Sequence, residues 1–144
     1  MQPASLGPTV RRFRTLFFVL ALSPYAGVVH AQLSNTPNSI YLIAGGTQGT
    51  SDGTGPAAQF SNSSYGISAN PDGNLYVVDT ESDTIRKITP AGVVSTLAGM
   101  AGVEGSADGT GAAARFFIPI FSAADAAGNL YIADQLNHTI RKVT

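Results

Sequence analysis

The chain has 144 residues, a length that suits a single domain. Charged residues make up only 12% of it, its formal net charge is −1 and 44% of its residues are hydrophobic. Neither a disordered charged tail nor a basic surface for nucleic acid is therefore expected. The absence of Cys from the sequence excludes disulfides, thiolate metal sites and a cysteine nucleophile.

Residues 1–31 have the pattern of a secretory signal peptide. Three arginines precede an apolar stretch at 16–22, and small residues follow at a cleavage site. An uncleaved membrane anchor is the alternative, but Pro24 interrupts the apolar run well short of the ~20 residues that a span needs. We expect cleavage before Gln32 and export of residues 32–144, either to a periplasm or out of the cell.

The exported part contains an internal repeat, in which three segments recur in the same order about 55 residues apart. Short runs rich in β-branched and aromatic residues, separated by Gly, Pro and Asn, predict four strands per unit, A to D. The recurring segments are GTSDGTGPAAQF at 49–60 and GSADGTGAAARF at 105–116, GNLYVVD at 73–79 and GNLYIAD at 128–134, and TIRKIT at 84–89 and TIRKVT at 139–144.

A repeated unit of four antiparallel strands is typical of a β-propeller blade. The GNLY and TIRK segments also resemble the NHL-repeat propeller family, and Asn137-His138 occupies the position that gives this family its name. The resemblance covers nearly all of residues 39–144, although the first unit has Ser82-Asp83 at the namesake position and the second has Phe121 in place of a Gly. It implies an all-β fold of four-stranded antiparallel propeller blades, about two NHL-type repeats in an incomplete ring.

The predicted domain boundaries leave the ring incomplete, because a propeller needs about 4–8 blades. The predicted parts are an orphan strand D at 39–44, a first blade at about 60–98 and a second blade at about 116–144 that lacks strand D. We favour an N-terminal fragment of a longer propeller. The alternative is a homo-oligomeric ring, in which the strand at 39–44 of one copy would complete the last blade of another.

Antiparallel strands place the D–A connections and the B–C loops at the same end of each blade, and most acidic residues fall in these loops. They form a candidate face for a cationic group or a divalent ion, although solvated turn residues would give the same pattern. The repeated DGTG lacks the further residues of a phosphate or calcium loop and predicts a turn. No resident cofactor or metal is expected. The candidate binding residues are Asp52, Asp79, Glu81, Asp83, Asp108 and Asp134.

Two of these acids have a structural interpretation as well. Asp79 and Asp134 end strand B in the two units, where a carboxylate is expected to accept hydrogen bonds that order the B–C loop. Arg86 and Arg141 lie inside strand C, and their stems are expected to pack while their charged ends reach partner acids.

Catalysis has little support, because His138 is the one histidine beyond the predicted signal peptide. No catalytic residue is assigned. The preferred function is an exported, non-catalytic scaffold that binds a protein, glycan or cell-wall ligand through the loop face. The alternative is the N-terminal part of an exported propeller enzyme, a lyase or hydrolase whose catalytic residues lie in further blades. Neither nucleic acid nor a membrane span after cleavage is expected.

Overall fold

The structure, a computed structural model, describes residues 40–144. The predicted signal peptide at 1–31 and residue Ser39 lie outside the described residues. Within the described part, no helix has the length and apolarity that crossing a bilayer requires. The elements in chain order are β1 (Thr47–Gln48), β2 (Gly53–Thr54), a 3₁₀ turn (Gly55–Ala57), β3 (Gln59–Phe60), β4 (Ser64–Ala69), β5 (Leu75–Asp79), a 3₁₀ turn (Thr80–Ser82), β6 (Thr84–Ile88), β7 (Val93–Ala98), a 3₁₀ turn (Gly111–Ala113), β8 (Pro119–Ala124), β9 (Leu130–Asp134), a 3₁₀ turn (Gln135–Asn137) and β10 (Thr139–Val143).

The first blade is an antiparallel sheet in which β4, β5, β6 and β7 are the predicted strands A to D. Tight turns join them. At Gly73, for example, φ is +80° and the amide donates to the carbonyl of Asn70 at 3.0 Å. A fifth short strand, β2, comes from the connection before the blade and pairs with the outer edge of β7, Gly53 opposite Val94.

The second blade repeats this arrangement without counterparts of β7 and β2 among the described residues. Strands β8, β9 and β10 form an antiparallel sheet that corresponds to strands A to C, and β10 is its edge. The predicted fold class is therefore confirmed: the described chain is all-β, with antiparallel propeller-type blades in an incomplete ring.

Two apolar clusters hold the blades in place. The larger one lies between the blades, where Val78 and Ile85 of the first pack near Phe116 and Ile132, all at most 1% exposed. The smaller one packs the connection before the first blade against that blade. Burying side chains of this size contributes roughly 1.5–3 kcal/mol each, so the contact between the blades is a substantial part of the core.

The inner edges of the two blades meet at β4 and β8. The hydroxyls of Ser68 and Ser122 lie 2.9 Å apart across this contact. A Cβ at Gly66 would lie 2.8 Å from the carbonyl oxygen of Ile120, so the close approach requires glycine there. The blades converge at these strands, as propeller blades converge towards a central axis.

The predicted strand D at 39–44 is not formed in the described part of the chain. Residues 40–44 contain no strand, and Ile40, Tyr41 and Leu42 are 101%, 60% and 61% exposed. The physical reason is that a strand D is held by the strand C of its own sheet, and residues 40–144 place no such strand beside this segment. An apolar β pattern is not sufficient without a pairing partner.

Candidate functional site

Arg86, inside β6, is a fully buried cation with a side chain 0% exposed. Its guanidinium forms ion pairs with Asp79 at 3.2 Å and with Asp52 at 2.8 Å. Its remaining bonds go to the carbonyl oxygens of Gln59 at 3.0 Å and Ser51 at 3.1 Å. Because three of these four partners belong to the connection before the blade, Arg86 fixes that connection to the sheet.

The second unit contains the same cluster around Arg141. Its guanidinium pairs with Asp134 at 3.1 Å and with Asp108, and it donates to the carbonyls of Arg115 at 3.0 Å and Ala107 at 3.1 Å. The side chain of Arg141 is 13% exposed, because no strand covers β10 as β7 covers β6 in the part of the chain that the structure describes.

An aromatic ring completes each cluster. The guanidinium carbon of Arg86 lies 5.2 Å from the centroid of Phe60, and that of Arg141 lies 5.3 Å from the centroid of Phe116. A cation over a ring face in a desolvated site adds to the ion pairs. The expected packing of the arginine stems and their reach to partner acids are both observed.

The six predicted binding acids therefore do not form one open acidic face. Asp52 and Asp79 share Arg86, while Asp108 and Asp134 share Arg141. Asp79 and Asp134 are 0% and 1% exposed, which removes their carboxylates from contact with a dissolved ligand. The two remaining members, Glu81 and Asp83, lie in the B–C loop of the first blade.

Asp79 and Asp134 mainly order the D–A connections rather than the B–C loops. Asp79 accepts bonds from the amide of Ser61 at 3.0 Å and from its hydroxyl, and Asp134 accepts from the amide of Phe117 at 2.9 Å. The expected bond to the B–C loop exists in the second unit, where Asn137 donates to Asp134 at 2.8 Å.

Asp83 links the two blades. Its carboxylate accepts a bond from the amide of Ile118 at 2.8 Å, at the entry to β8. Burial raises the pKa of Asp83, and the negative charges of Glu104 and Asp134 raise it further against the opposing hydrogen bond. Ile118 has φ +51°, which is strained for a β-branched residue, so Asp83 holds a strained junction in place.

The pKa of Asp52 is shifted in the opposite direction from that of Asp83. Desolvation alone would raise its pKa, but hydrogen bonds from Thr96 and the charge and hydrogen bond of Arg86 outweigh it, so the pKa is lowered. The ionised form of Asp52 is therefore favoured by folding. This marks Asp52 as a structural partner of the arginine, whatever further binding role it has.

Glu81 is exposed, as Asp52 and Asp108 are, and it lies near exposed apolar side chains of β4. It accepts bonds from the amide of Asn62 at 3.2 Å and the hydroxyl of Ser63 at 3.3 Å. Just beyond them on β4, Tyr65 and Ile67 are 65% and 63% exposed. Tyr65 is the extra residue of a bulge between Ser64 and Gly66, and Ile67 follows it two residues later, opposite Val77.

Tyr65 and Ile67 are not among the residues predicted from the sequence, because the predicted set contains only charged groups. An inner strand is expected to alternate buried and exposed residues, and large apolar residues at its exposed positions are a signal that could have identified them. We refer to Tyr65, Ile67 and Glu81 as the inner-edge patch.

Among residues 40–144, no three His, Asp or Glu side chains are grouped so that they could hold a metal ion. His138 lies at the end of the second B–C loop, with φ +56°, at the position that Asp83 takes in the first unit with φ +54°. Both residues close a 3₁₀ turn through a hydrogen bond from their backbone amide. The amide of His138 donates to the carbonyl of Gln135 at 3.1 Å, and the amide of Asp83 donates to that of Thr80 at 3.2 Å.

No protein-family model matches the chain, and no curated protein matches it either. Several solved structures do match the chain. A protein of unknown function from Bacteroides thetaiotaomicron is 35% identical with a TM-score of 0.60, over 64% of this chain and 23% of its own length. An auxiliary nutrient binding protein from the same organism is 28% identical with a TM-score of 0.63, over 72% of this chain and 28% of its own.

Another auxiliary nutrient binding protein, from Bacteroides ovatus, is 30% identical with a TM-score of 0.60, over 72% of this chain and 28% of its own length. This chain thus spans about a quarter of the structures it matches. It is similar in sequence and fold to one section of larger Bacteroides proteins, two of which are described as nutrient-binding.

Proposed function

We propose that the chain is a non-catalytic binding module of NHL-repeat type, exported by the segment at 1–31, which binds a glycan through its inner-edge patch. The observation that carries the proposal is the exposure of Tyr65 and Ile67 on an inner strand, near the exposed carboxylate of Glu81. The description of two similar structures as auxiliary nutrient binding proteins supports a binding role.

The chemistry of the patch suits a saccharide better than a cation. An exposed tyrosine offers a flat apolar face together with a hydroxyl, which fits a ligand with one apolar and one polar side. A sugar ring packs its C–H groups on such a face, and a neighbouring carboxylate accepts hydrogen bonds from its hydroxyls. The four acids held by Arg86 and Arg141 are already paired, which disfavours them as the primary contacts.

The test is binding of soluble oligosaccharides, from neutral plant-type glucans and xylans to peptidoglycan fragments, measured by titration calorimetry. We expect Tyr65→Ala to weaken binding at least tenfold, about 1.4 kcal/mol, and Glu81→Gln to weaken it less. Tyr131→Ala is the matched control, since Tyr131 is an exposed tyrosine on the second blade. Its binding should equal that of the unmodified chain.

Two results would refute the proposal. One is a bound saccharide whose affinity is the same for Tyr65→Ala and for Tyr131→Ala. The other is no binding of any saccharide in the panel at millimolar concentration, about −4 kcal/mol, by a chain that circular dichroism shows to be folded.

A further inference from the structure

Asp83 is a buried acid that no cation of the described chain neutralises. The buried acids are Asp79, Asp83 and Asp134, which are 0%, 6% and 1% exposed. Asp79 pairs with Arg86 and Asp134 pairs with Arg141, whereas no Lys or Arg of the described residues pairs with Asp83. Buried carboxylates are normally paired, because taking an unpaired charge out of water is costly. The burial of Asp83 therefore suits a cation that the described residues do not supply.

Only one of the two carboxylate oxygens of Asp83 is bound within the described chain. Its Oδ1 accepts a hydrogen bond from the amide of Ile118 at 2.8 Å, which fixes the carboxylate at the junction between the blades. No group of residues 40–144 donates to its Oδ2, and 6% of the residue surface is still exposed. The junction thus holds one oriented acceptor oxygen with its hydrogen-bonding capacity unused.

A second carboxylate, that of Glu104, is brought close to Asp83 by the connection between the blades. The amide of Gly102 donates to the carbonyl of Ser82 at 3.1 Å, so the connection lies against the B–C loop that contains Asp83. Burial raises the pKa of Asp83, and the negative charge of Glu104 raises it further. Two carboxylates that repel each other in this way both gain from a cation placed beside them.

An apolar turn stands beside these acids. The connection at 99–105 is two residues longer than its counterpart at 45–49, and the amide of Val103 donates to the carbonyl of Met100 at 3.0 Å within it. The side chains of Met100 and Val103 are 39% and 41% exposed. Arg115 reaches the sulfur of Met100 at 3.6 Å, but its other hydrogen bonds go to backbone carbonyls. It therefore leaves the two acids without a partner.

We propose that Asp83 and Glu104 form a receptor for the ammonium group of a lysine side chain from a partner protein. The alkyl stem of that lysine packs on Met100 and Val103. A lysine carries a compact charge on an apolar stem, which fits one acceptor oxygen with an apolar turn beside it. This is a second site, with a ligand of another class than the glycan of the inner-edge patch.

The geometry favours an ammonium group over other cations. A guanidinium binds a carboxylate best through both oxygens, and Oδ1 of Asp83 is already bonded to Ile118. A calcium ion takes six to eight oxygen ligands, and no three His, Asp or Glu side chains of residues 40–144 are grouped to hold a metal. The described chain also has nine acids against five basic residues, which favours the approach of a basic partner.

The test is titration of the folded chain with N-acetyl-lysine methylamide, followed by the chemical shifts of the backbone amides. We expect the shifts to concentrate at residues 82–83, 100–104 and 118. The norleucine derivative has the same alkyl stem without the ammonium and should cause no such shifts. The arginine derivative should bind more weakly than the lysine derivative.

Three variants assign the binding to the two acids. Asp83→Asn keeps an oxygen for the amide of Ile118 but removes the charge, and should weaken binding about tenfold, as the loss of a hydrogen bond to a charged group does. Glu104→Gln, at an exposed position, should weaken it about threefold. Asp72→Asn is the matched control, because it removes the same charge from the turn between strands A and B, and its binding should equal that of the unmodified chain.

Four results would overturn the proposal. They are the absence of amide shifts up to about 10 mM ligand, equal binding of the lysine and norleucine derivatives, tighter binding of the arginine derivative, and equal weakening by Glu104→Gln and Asp72→Asn. The last result would mean that the net charge of the chain attracts the amine, with no defined receptor. Because Glu104 is exposed, its variant decides the matter even where Asp83→Asn disturbs the junction.

Discussion

Replacement of Arg86 by Met tests the role of the arginine clusters most severely. Methionine fills a similar length of apolar space but removes every ionic and hydrogen-bonding contact of the guanidinium. Asp79, whose side chain is 0% exposed, would be left with no cation beside it. Breaking a buried pair in this way costs about 3–5 kcal/mol, which is a large part of the 5–15 kcal/mol that stabilises a typical domain.

The same substitution at Arg141 provides the internal comparison. Arg141 makes the equivalent contacts, but its side chain is 13% exposed and borders an open cavity of about 720 Å³ beside β10, so water reaches the site when the cation is removed. We expect Arg141→Met to cost about half as much as Arg86→Met. Urea unfolding, followed by circular dichroism on dilute protein, gives both free energies.

The pair Asp79→Asn with Arg86→Met separates the ion pair from the packing. If the buried charge is the main cost, the double variant should be at least about 1 kcal/mol more stable than the sum of the two single changes predicts. Strict additivity of the two changes in the free energy of unfolding would contradict the reasoning, and so would a loss of stability below about 1 kcal/mol for Arg86→Met alone.

Two further predictions concern acid stability and backbone strain. The folded-state pKa of Asp52 is lowered from 3.8, so its contribution to the free energy of unfolding is present above that value and is lost as the pH falls through the folded pKa. In acid titration, Asp52→Asn should therefore lose stability less steeply below pH 3.8 than the unmodified chain does. The same slope of stability against pH in both proteins would refute the assignment. Gly99 has φ +94° and a Cβ there would lie 2.3 Å from the carbonyl oxygen of Asp83, whereas Gly128 has φ +86° and open space. Thermal unfolding should show Gly99→Ala less stable than Gly128→Ala, which bears only the backbone strain of about 1 kcal/mol; equal losses would show that the close contact relaxes.

The repeated blades were predictable because their pattern is local. Strand alternation, turns such as the one ending at Gly73 and the recurrence of whole segments need no knowledge of distant contacts. The segment at 40–44 shows where this reasoning fails. It has the apolar pattern of a strand, yet a strand exists only beside a partner, and sequence pattern alone does not show whether the partner is present.

The candidate site was harder to predict than the fold, because the charges in a sequence do not reveal which groups pair in the structure. Asp52 and Asp79 are 34 and 7 residues from Arg86, and only the folded blade brings the three together. Four of the six predicted acids are partners of arginines: Asp52 and Asp79 of the buried Arg86, and Asp108 and Asp134 of Arg141. Tyr65 was overlooked because its exposure depends on its place at the edge of the sheet, which a list of charged residues does not contain.

The central claim is that the two units are the same blade, each fixed to the connection before it by one arginine, Arg86 in the first and Arg141 in the second. Hydrogen exchange of the amides in the two connections, compared between the unmodified chain and the variants Arg86→Met and Arg141→Met, tests it directly. Each variant should lose protection in the connection that its own arginine holds, residues 51–60 for Arg86 and 107–116 for Arg141. Unchanged protection in both connections would contradict the account.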